Sequence, residues 1–324
     1  AGAEATYGEA MPTATAPTRT GYTFGGYYSQ TNGGGTQYYD EDMNSMHVWN
    51  YANAATLYAK WVANTYTVTL QVCYPGGANS SLTSQSSSDF KYINYTATES
   101  TTITIWTTHT SGDPYLVLYN ENLSQLAYND DGKGNLDSKI TYTVTSGVTY
   151  VIGFRGYGSR FTKGKVYISK DITATYGSAM PSNAVPTQAG YTFEGYYTAQ
   201  NGNGTKYYNS DMSSANNWNI AGATTLYANW TAHVYTVILN KQSSVLSGTD
   251  SVEVTYGSPM PSAEAPTRNN YIFQGYFAET DGAGKQYYDG QMNSINDWDV
   301  ADGGTIFVYW LGNPYTVTFD KQGG

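Results

Sequence analysis

Sliding the chain against itself brings ATYGEAMPTATAPTRTGYTFGGYY (5–28) onto ATYGSAMPSNAVPTQAGYTFEGYY (174–197) and VTYGSPMPSAEAPTRNNYIFQGYF (254–277). The offsets are 169 and 80 residues, and they hold without a gap over about 60 residues. They also carry Tyr38-Tyr39 onto Tyr207-Tyr208 and Tyr287-Tyr288, Trp49 onto Trp218 and Trp298, and Trp61 onto Trp230 and Trp310. The register continues into YTVTL (66–70), YTVIL (235–239) and YTVTF (315–319). The period is therefore 80 residues, and the 169-residue interval exceeds it by 89, which fall between Tyr66 and Tyr176. Repetition at this length means small like units packed in series, here with a different domain set among them.

The divisions that follow are a first module over 1–65, lacking its first strand; the first strand of a second module at 66–70; an inserted domain over about 71–170; the rest of the second module over 171–234; a third module over 235–314; and the first strand of a following module at 315–324. At 324 residues the core must be divided among such units. The 34 tyrosines and 35 glycines favour strands and tight turns, so a β-dominated multidomain fold is expected. Within a module, short runs such as YTFGGYY and TLYAKW are punctuated by YG, Met-Pro, Pro-Thr and NGGG or NGNG turns. The spacing of Met43, Met46 and Trp49 predicts one short helix over 40–50.

The pattern of YTVTF, YG, P-T-x-x-G-Y-T-F-x-G-Y and L-Y-A-x-W resembles the Listeria-Bacteroides repeat of internalin-type surface proteins, in three copies covering about 200 residues. Tyr27, Tyr196 and Tyr276 stand where many members of that family have Trp. The resemblance implies small β-grasp-like modules on a secreted, extracellular bacterial surface protein.

Residues 71–170 read differently. SSLTSQSSS (80–88) leads into the alternating runs DFKYINYTA, TTITIWTT, PYLVLYN, KITYTV, TYVIGFRG and KVYISK, the pattern of a β-sandwich or jelly roll. The run from SGDPYLVLYN through NDDG to SGVTYVIGF resembles the bacterial pre-peptidase C-terminal domain. Relatives of that fold accompany secreted peptidases and collagen-binding modules, which by analogy implies binding to glycan or extracellular matrix protein.

In the loop Asn129-Asp130-Asp131-Gly132-Lys133-Gly134-Asn135-Leu136-Asp137, hard oxygen ligands lie close together among glycines. Calcium takes such ligands, so Asp130, Asp131, Asn135 and Asp137 are candidate metal ligands, with Asp113 as a further one. The spacing is not that of an EF-hand, and Lys133 brings a positive charge into the loop. A hydrogen-bonded Asx-rich hairpin is the competing reading.

Catalytic chemistry finds no foothold. His47, His109 and His233 form no cluster in sequence, and His47 gives way to Asn216 and Asn296 in the matching modules. No G-x-S-x-G elbow, H-E-x-x-H pair or phosphate-binding loop occurs. Cys73, the sole cysteine, excludes an intrachain disulfide and a thiolate cluster. The net charge of −10, with no basic run, argues against nucleic acid as a partner. No segment offers the roughly 20 continuous apolar residues of a membrane span.

Adjacent aromatics face opposite sides of a strand. One member of each recurring pair is therefore expected on the surface, which makes Tyr28, Tyr39, Tyr197, Tyr208, Phe277 and Tyr288 a candidate contact surface. Trp61, Trp230 and Trp310 are assigned to the core.

The chain opens at ATYG without a preceding YTVT strand and closes on YTVTFDKQGG. Two readings stay open: a window on a longer tandem array, or chains that polymerise by lending Tyr315, Val317 and Phe319 to the next chain's first module. The function expected is a non-enzymatic structural or adhesive segment of a long surface protein, its partners neighbouring modules or copies of itself, extended head to tail into an extracellular filament. The alternatives are a glycan- or matrix-binding module and an accessory region of a secreted peptidase.

Overall fold

The computed structural model describes residues 2–74, 82–132, 135–158, 161–242, 247–320 and 322. Strands dominate. The first module holds β1 (Tyr22–Tyr28), β2 (Gln37–Tyr39) and β3 (Tyr58–Ala63). Next come β4 (Thr65–Tyr74), β5 (Leu82–Ser84), β6 (Lys91–Thr96), β7 (Thr101–Ser111) and β8 (Pro114–Asn120). They are followed by β9 (Gln125–Asn129), β10 (Lys139–Val144), β11 (Thr149–Gly156) and β12 (Thr162–Thr175). The second module continues with β13 (Tyr191–Tyr197), β14 (Lys206–Tyr208) and β15 (Thr224–Ala232). The third comprises β16 (Val234–Asn240), β17 (Ser251–Thr255), β18 (Tyr271–Phe277), β19 (Gln286–Asp289) and β20 (Gly304–Gly312).

The third module shows the unit whole. Its five-stranded sheet runs β17-β16-β20-β18-β19, with the opening strand β16 lying parallel to the closing strand β20. The alternation of YTVIL puts Val237 and Leu239 into the core at 0% and 2% exposure, against Trp298, Tyr276 and Ile306. The F-x-G-Y signature has a steric origin. Gly26, Gly195 and Gly275 sit at φ of 98°, 132° and 129°. A Cβ there would lie 2.2, 2.3 and 2.1 Å from the carbonyl oxygens of Tyr39, Tyr208 and Tyr288, so only glycine admits the crossing strand.

No helix forms over 40–50. Asp40 Oδ1 instead accepts the backbone N–H groups of Asp42 and Asn44, and Met43 turns left-handed at φ 64°. Asp289 repeats the arrangement with Gln291 and Asn293, and Met292 is at 62°. The Asx side chain competes for the amides a helix would need.

The inserted domain is a sandwich. One of its sheets, β6-β11-β8-β9, faces strands β10, β7 and β12 of the other. Ile103, Ile105, Ile140 and Ile168 from one side and Leu116, Leu118, Ile152 and Phe154 from the other share one core. This second sheet does not end at the sandwich. Strand β4 pairs antiparallel with β12 over its whole length, from Thr65↔Thr175 to Tyr74↔Val166. The early residues of β4 pair parallel with β15, from Val68↔Thr224 to Gln71↔Tyr227. A single eight-stranded sheet therefore runs from β10 in the sandwich to β14 in the second module, and one apolar cluster spans both.

This continuity fixes an expectation for stability. Leu70, 1% exposed where the two share β4, has its side chain in the common core. Leu70→Ala should cost about 2–5 kcal/mol, and amides of β7–β11 and of β13–β15 should exchange faster together in hydrogen-exchange mass spectrometry. Acceleration confined to one side would mean two independent units.

Candidate functional site

The loop of the sandwich brings three carboxylates together. Asp113, Asp130 and Asp131 each place an oxygen within 4.8 Å of the others. Asp113 is buried, Asp131 exposed, and Asp130 Oδ1 is screened from solvent without a hydrogen-bond partner. Burial, then Asp131 and Asp113, push the Asp130 carboxyl above the ordinary carboxylate range, with Arg155 opposing. Ser138, fully buried, holds its hydroxyl 2.8, 2.9 and 2.8 Å from the carbonyl oxygens of Pro114, Asn129 and Asp130, which ties the loop to β8. These three carboxylates would suit a divalent cation.

Asp137 does not join them. It is buried beside His109, whose Nδ1 lies 2.8 Å from its Oδ1, and it accepts the Thr107 hydroxyl. Asn135 is exposed on the loop, and Lys133 and Gly134 lie outside the described residues. Cys73 is half-buried; its thiol is pushed up by burial, with the Lys165 charge and then a hydrogen bond to Tyr167 acting against it.

The aromatic pairs divide in two. Tyr28, Tyr197 and Phe277 are half-buried. Tyr39, Tyr208 and Tyr288 are core residues at 4%, 0% and 0% exposure and present no contact surface. Their hydroxyls donate to the carbonyls of Pro12, Pro181 and Pro261 at 2.6, 2.7 and 2.5 Å. Their neighbours Tyr38, Tyr207 and Tyr287 are buried too, hydrogen-bonded to Asn50, Asn219 and Asp299. The chain from Met-Pro onward and the segment after the Asx turn cover both faces of this short strand, so alternation does not send one tyrosine to water. Trp61, Trp230 and Trp310 are only half-buried, whereas Trp218 and Trp298 are 0% and 2% exposed.

Exposed rings gather instead on the outer face of the sandwich. Tyr115 lies near-parallel to Tyr128 and Tyr157 at 5.9 and 6.2 Å, and the Arg155 guanidinium sits 4.0 Å from the centre of the Tyr115 ring. Tyr115 and Tyr119, both half-buried, alternate along β8 with the core residues Leu116 and Leu118, the signal that could have located this face; Val117 between them is itself buried.

The sharpest departure from the repeat lies at the edge of β3. In the other modules the equivalent strand carries a parallel partner; here the sheet is only β2-β1-β3. The consequences run through the module. Residues 55–57, equivalent to the start of β15, are not in a strand. Leu57 and Trp49 are half-exposed where Leu226, Ile306, Trp218 and Trp298 are at 0–2%. Residues 2–6, equivalent to β17, have no strand partner among the described residues. At the other end of the chain, Tyr315, Val317 and Phe319 lie outside any strand at 71%, 71% and 87% exposure. Burying such a Val or Phe contributes about 1.5–3 kcal/mol.

Modules meet through a recurring joint. Tyr22 packs edge-on against Tyr176 at 5.6 Å, and Tyr191 against Tyr256 at 5.3 Å. The amides of Asn64 and His233 donate to the carbonyls of Gly21 and Gly190, and the carbonyls of Asn64 and His233 accept from Tyr176 and Tyr256, all at 2.9 Å.

Residues 1–60, 150–229 and 235–299 match the Listeria-Bacteroides repeat domain, more than half of the chain. The chain belongs to this family. It is 25% identical over 317 residues to an Evansella cellulosilytica protein named as a Gly-rich membrane protein, covering 94% of this chain and 32% of the relative. It is 30% identical over 159 residues to Internalin H of Listeria monocytogenes, 48% of this chain and 25% of that protein. A second Evansella cellulosilytica protein, named as a membrane protein, is 24% identical over 302 residues, 92% of this chain and 40% of the relative. The chain thus spans less than half the length of each. Among the described residues, no helix is long and apolar enough to cross a membrane.

In this Listeria-Bacteroides repeat protein the acidic loop sets a test with a definite sign. The folded state holds the Asp130 proton more tightly than the unfolded chain, so stability rises as pH falls through the raised pKa. In chelator at neutral pH, Asp130→Asn should raise Tm, and the gap should narrow in acid as the wild type takes up its proton. Calcium should raise the wild-type Tm and act less on the variant. A wild-type Tm indifferent to calcium would remove the cation role.

Proposed function

We propose that this chain is a non-catalytic structural segment of an exported bacterial surface protein. In this reading the Listeria-Bacteroides modules form a stiff spacer that holds the sandwich outward and extends head to tail into an extracellular fibre. The observation that carries it is the joint: two successive pairs of modules use the same tyrosine contact and the same backbone hydrogen bonds, so each unit is set on the last by one repeated geometry. A stack built on one operation is an open, extended structure unless its rotation closes a ring. The names of the relatives, membrane proteins and an internalin, support placement at the cell surface.

The exposed rings of the sandwich favour a second reading, in which that domain, with its resemblance to pre-peptidase C-terminal domains, binds glycan or matrix protein. Tyr128 and Tyr157, 60% and 48% exposed beside Tyr115, would supply stacking surface. Electron microscopy of the native material should show filaments of constant axial repeat. Separate rods would keep the spacer and discard the fibre; compact particles would discard both. Binding to immobilised glycan or collagen-like protein that is lost in Tyr128→Ala/Tyr157→Ala would establish the second reading.

A further inference from the structure

The complete modules define what the open edge of the first one accepts. In the third module β16 lies between β20 and β17: Val237 is paired with Gly304 and Leu239 with Ile306 on one side, Tyr235 with Val254 and Thr236 with Glu253 on the other. In the second, β4 lies between β15 and β12, with Val68 paired to Thr224 and Leu70 to Leu226, Tyr66 to Ala174 and Thr67 to Thr173. Carried through the repeat offsets, both ladders give one register for the first module. Val317 falls opposite Ala55 and Phe319 opposite Leu57, while Tyr315 falls opposite Ala5 and Thr316 opposite Glu4. Val317 and Phe319 then take positions that are 0–2% exposed in both other modules.

The start of that strand is already aimed. Asn313 donates its amide to the Asn270 carbonyl at 2.9 Å, as Asn64 and His233 do to Gly21 and Gly190, and the Tyr315 hydroxyl donates to Asn270 Oδ1 at 2.9 Å. One half of a third joint is thus assembled, with Tyr271 41% exposed where Tyr22 and Tyr191 are half-buried against their partners. The other half waits at Tyr7, 68% exposed where Tyr176 and Tyr256 are half-buried. Pro314 falls at the first strand position, where a missing N–H is tolerated.

Building on the head-to-tail reading above, we propose that residues 315–319 of one copy fill the first module of a second copy as the strand between residues 2–6 and 55–58. Its pairing is parallel to the edge that continues β3 and antiparallel to residues 2–6. At the same contact Tyr7 of the second copy packs edge-on against Tyr271 of the first, and its amide donates to the Asn313 carbonyl. Completing the sheet extends β3 back to residue 55 and buries Leu57 and Trp49. A YTVT strand supplied by neighbouring polypeptide of the same chain would satisfy the same edge, so the test asks for a second copy and for the register together.

Two populations of the full chain, both carrying Cys73→Ser, are mixed under mild oxidation, one with Glu4→Cys and the other with Thr316→Cys. Disulfide-linked heterodimers are expected, and the double variant Glu4→Cys/Thr316→Cys should give a ladder of higher oligomers on non-reducing gels. Adding Val317→Asp/Phe319→Asp to the Thr316→Cys chain should abolish the dimer; both side chains are exposed in the monomer, so the variant folds. Moving the cysteine to Asp320, four residues out of register, should lower the yield at least tenfold. No heterodimer, a dimer that survives Val317→Asp/Phe319→Asp, or equal yield from Asp320→Cys would overturn the proposal, as would a double variant that closes only on itself. Small-angle scattering of the uncrosslinked chain keeps the two readings apart: an extended monomer without dimers ends strand exchange and leaves the spacer standing.

Discussion

The parallel ladder between the opening and closing strands of a module is the interaction on which the rest depends. It places YTVTL or YTVIL in the middle of the sheet, where its alternate apolar residues meet the tryptophan after the Asx turn and the tyrosines of the short strand. The first module shows the cost of leaving that place open. Its buried cluster shrinks to Phe24, Tyr38, Tyr39 and Met43, and its segment equivalent to β17 has no strand partner among the described residues. Local propensity alone does not hold residues 2–6 or 55–57 in strands; the missing neighbour decides.

Much of this was legible in the sequence because repetition reports spacing directly. Three copies of YG and F-x-G-Y, with L-Y-A-x-W in two modules and I-F-V-Y-W in the third, mark the strands and turns, and the insertion appears as an excess in one interval. What stayed hidden depends on contacts distant along the chain. Tyr39, Tyr208 and Tyr288 look like the outward members of their pairs until a carbonyl some 27 residues upstream folds over them. Asp137 looks like one more ligand in an acidic loop until His109, from a neighbouring strand, takes it. The helix over 40–50 fails for a local reason, since an Asp shortly before or beside Met43 and its equivalents (Asp40, Asp211 and Asp289) accepts an amide that a helix would need.

The sandwich could have been hung on flexible linkers, and the sequence alone would not have said otherwise. Its attachment is instead a pair of long strands, β4 and β12, that carry one apolar core from the sandwich into the second module. Bending between the sandwich and the second module would have to break a continuous antiparallel ladder, so the orientation of one follows from the other. The acidic loop and the Tyr115 ring face lie on the strands and turns of that fixed body.

The placement of β4 and β15 also decides how the molecule would carry tension. They are adjacent and parallel, and they are the first and last strands of their module. A pull along the chain draws β4 from its start and β15 from its end, in opposite directions along one ladder. Every hydrogen bond between them is then loaded together in shear, not peeled open one at a time. All 89 extra residues lie inside the loop that this clamp closes, so the force line passes by the sandwich, which stays slack until the clamp yields.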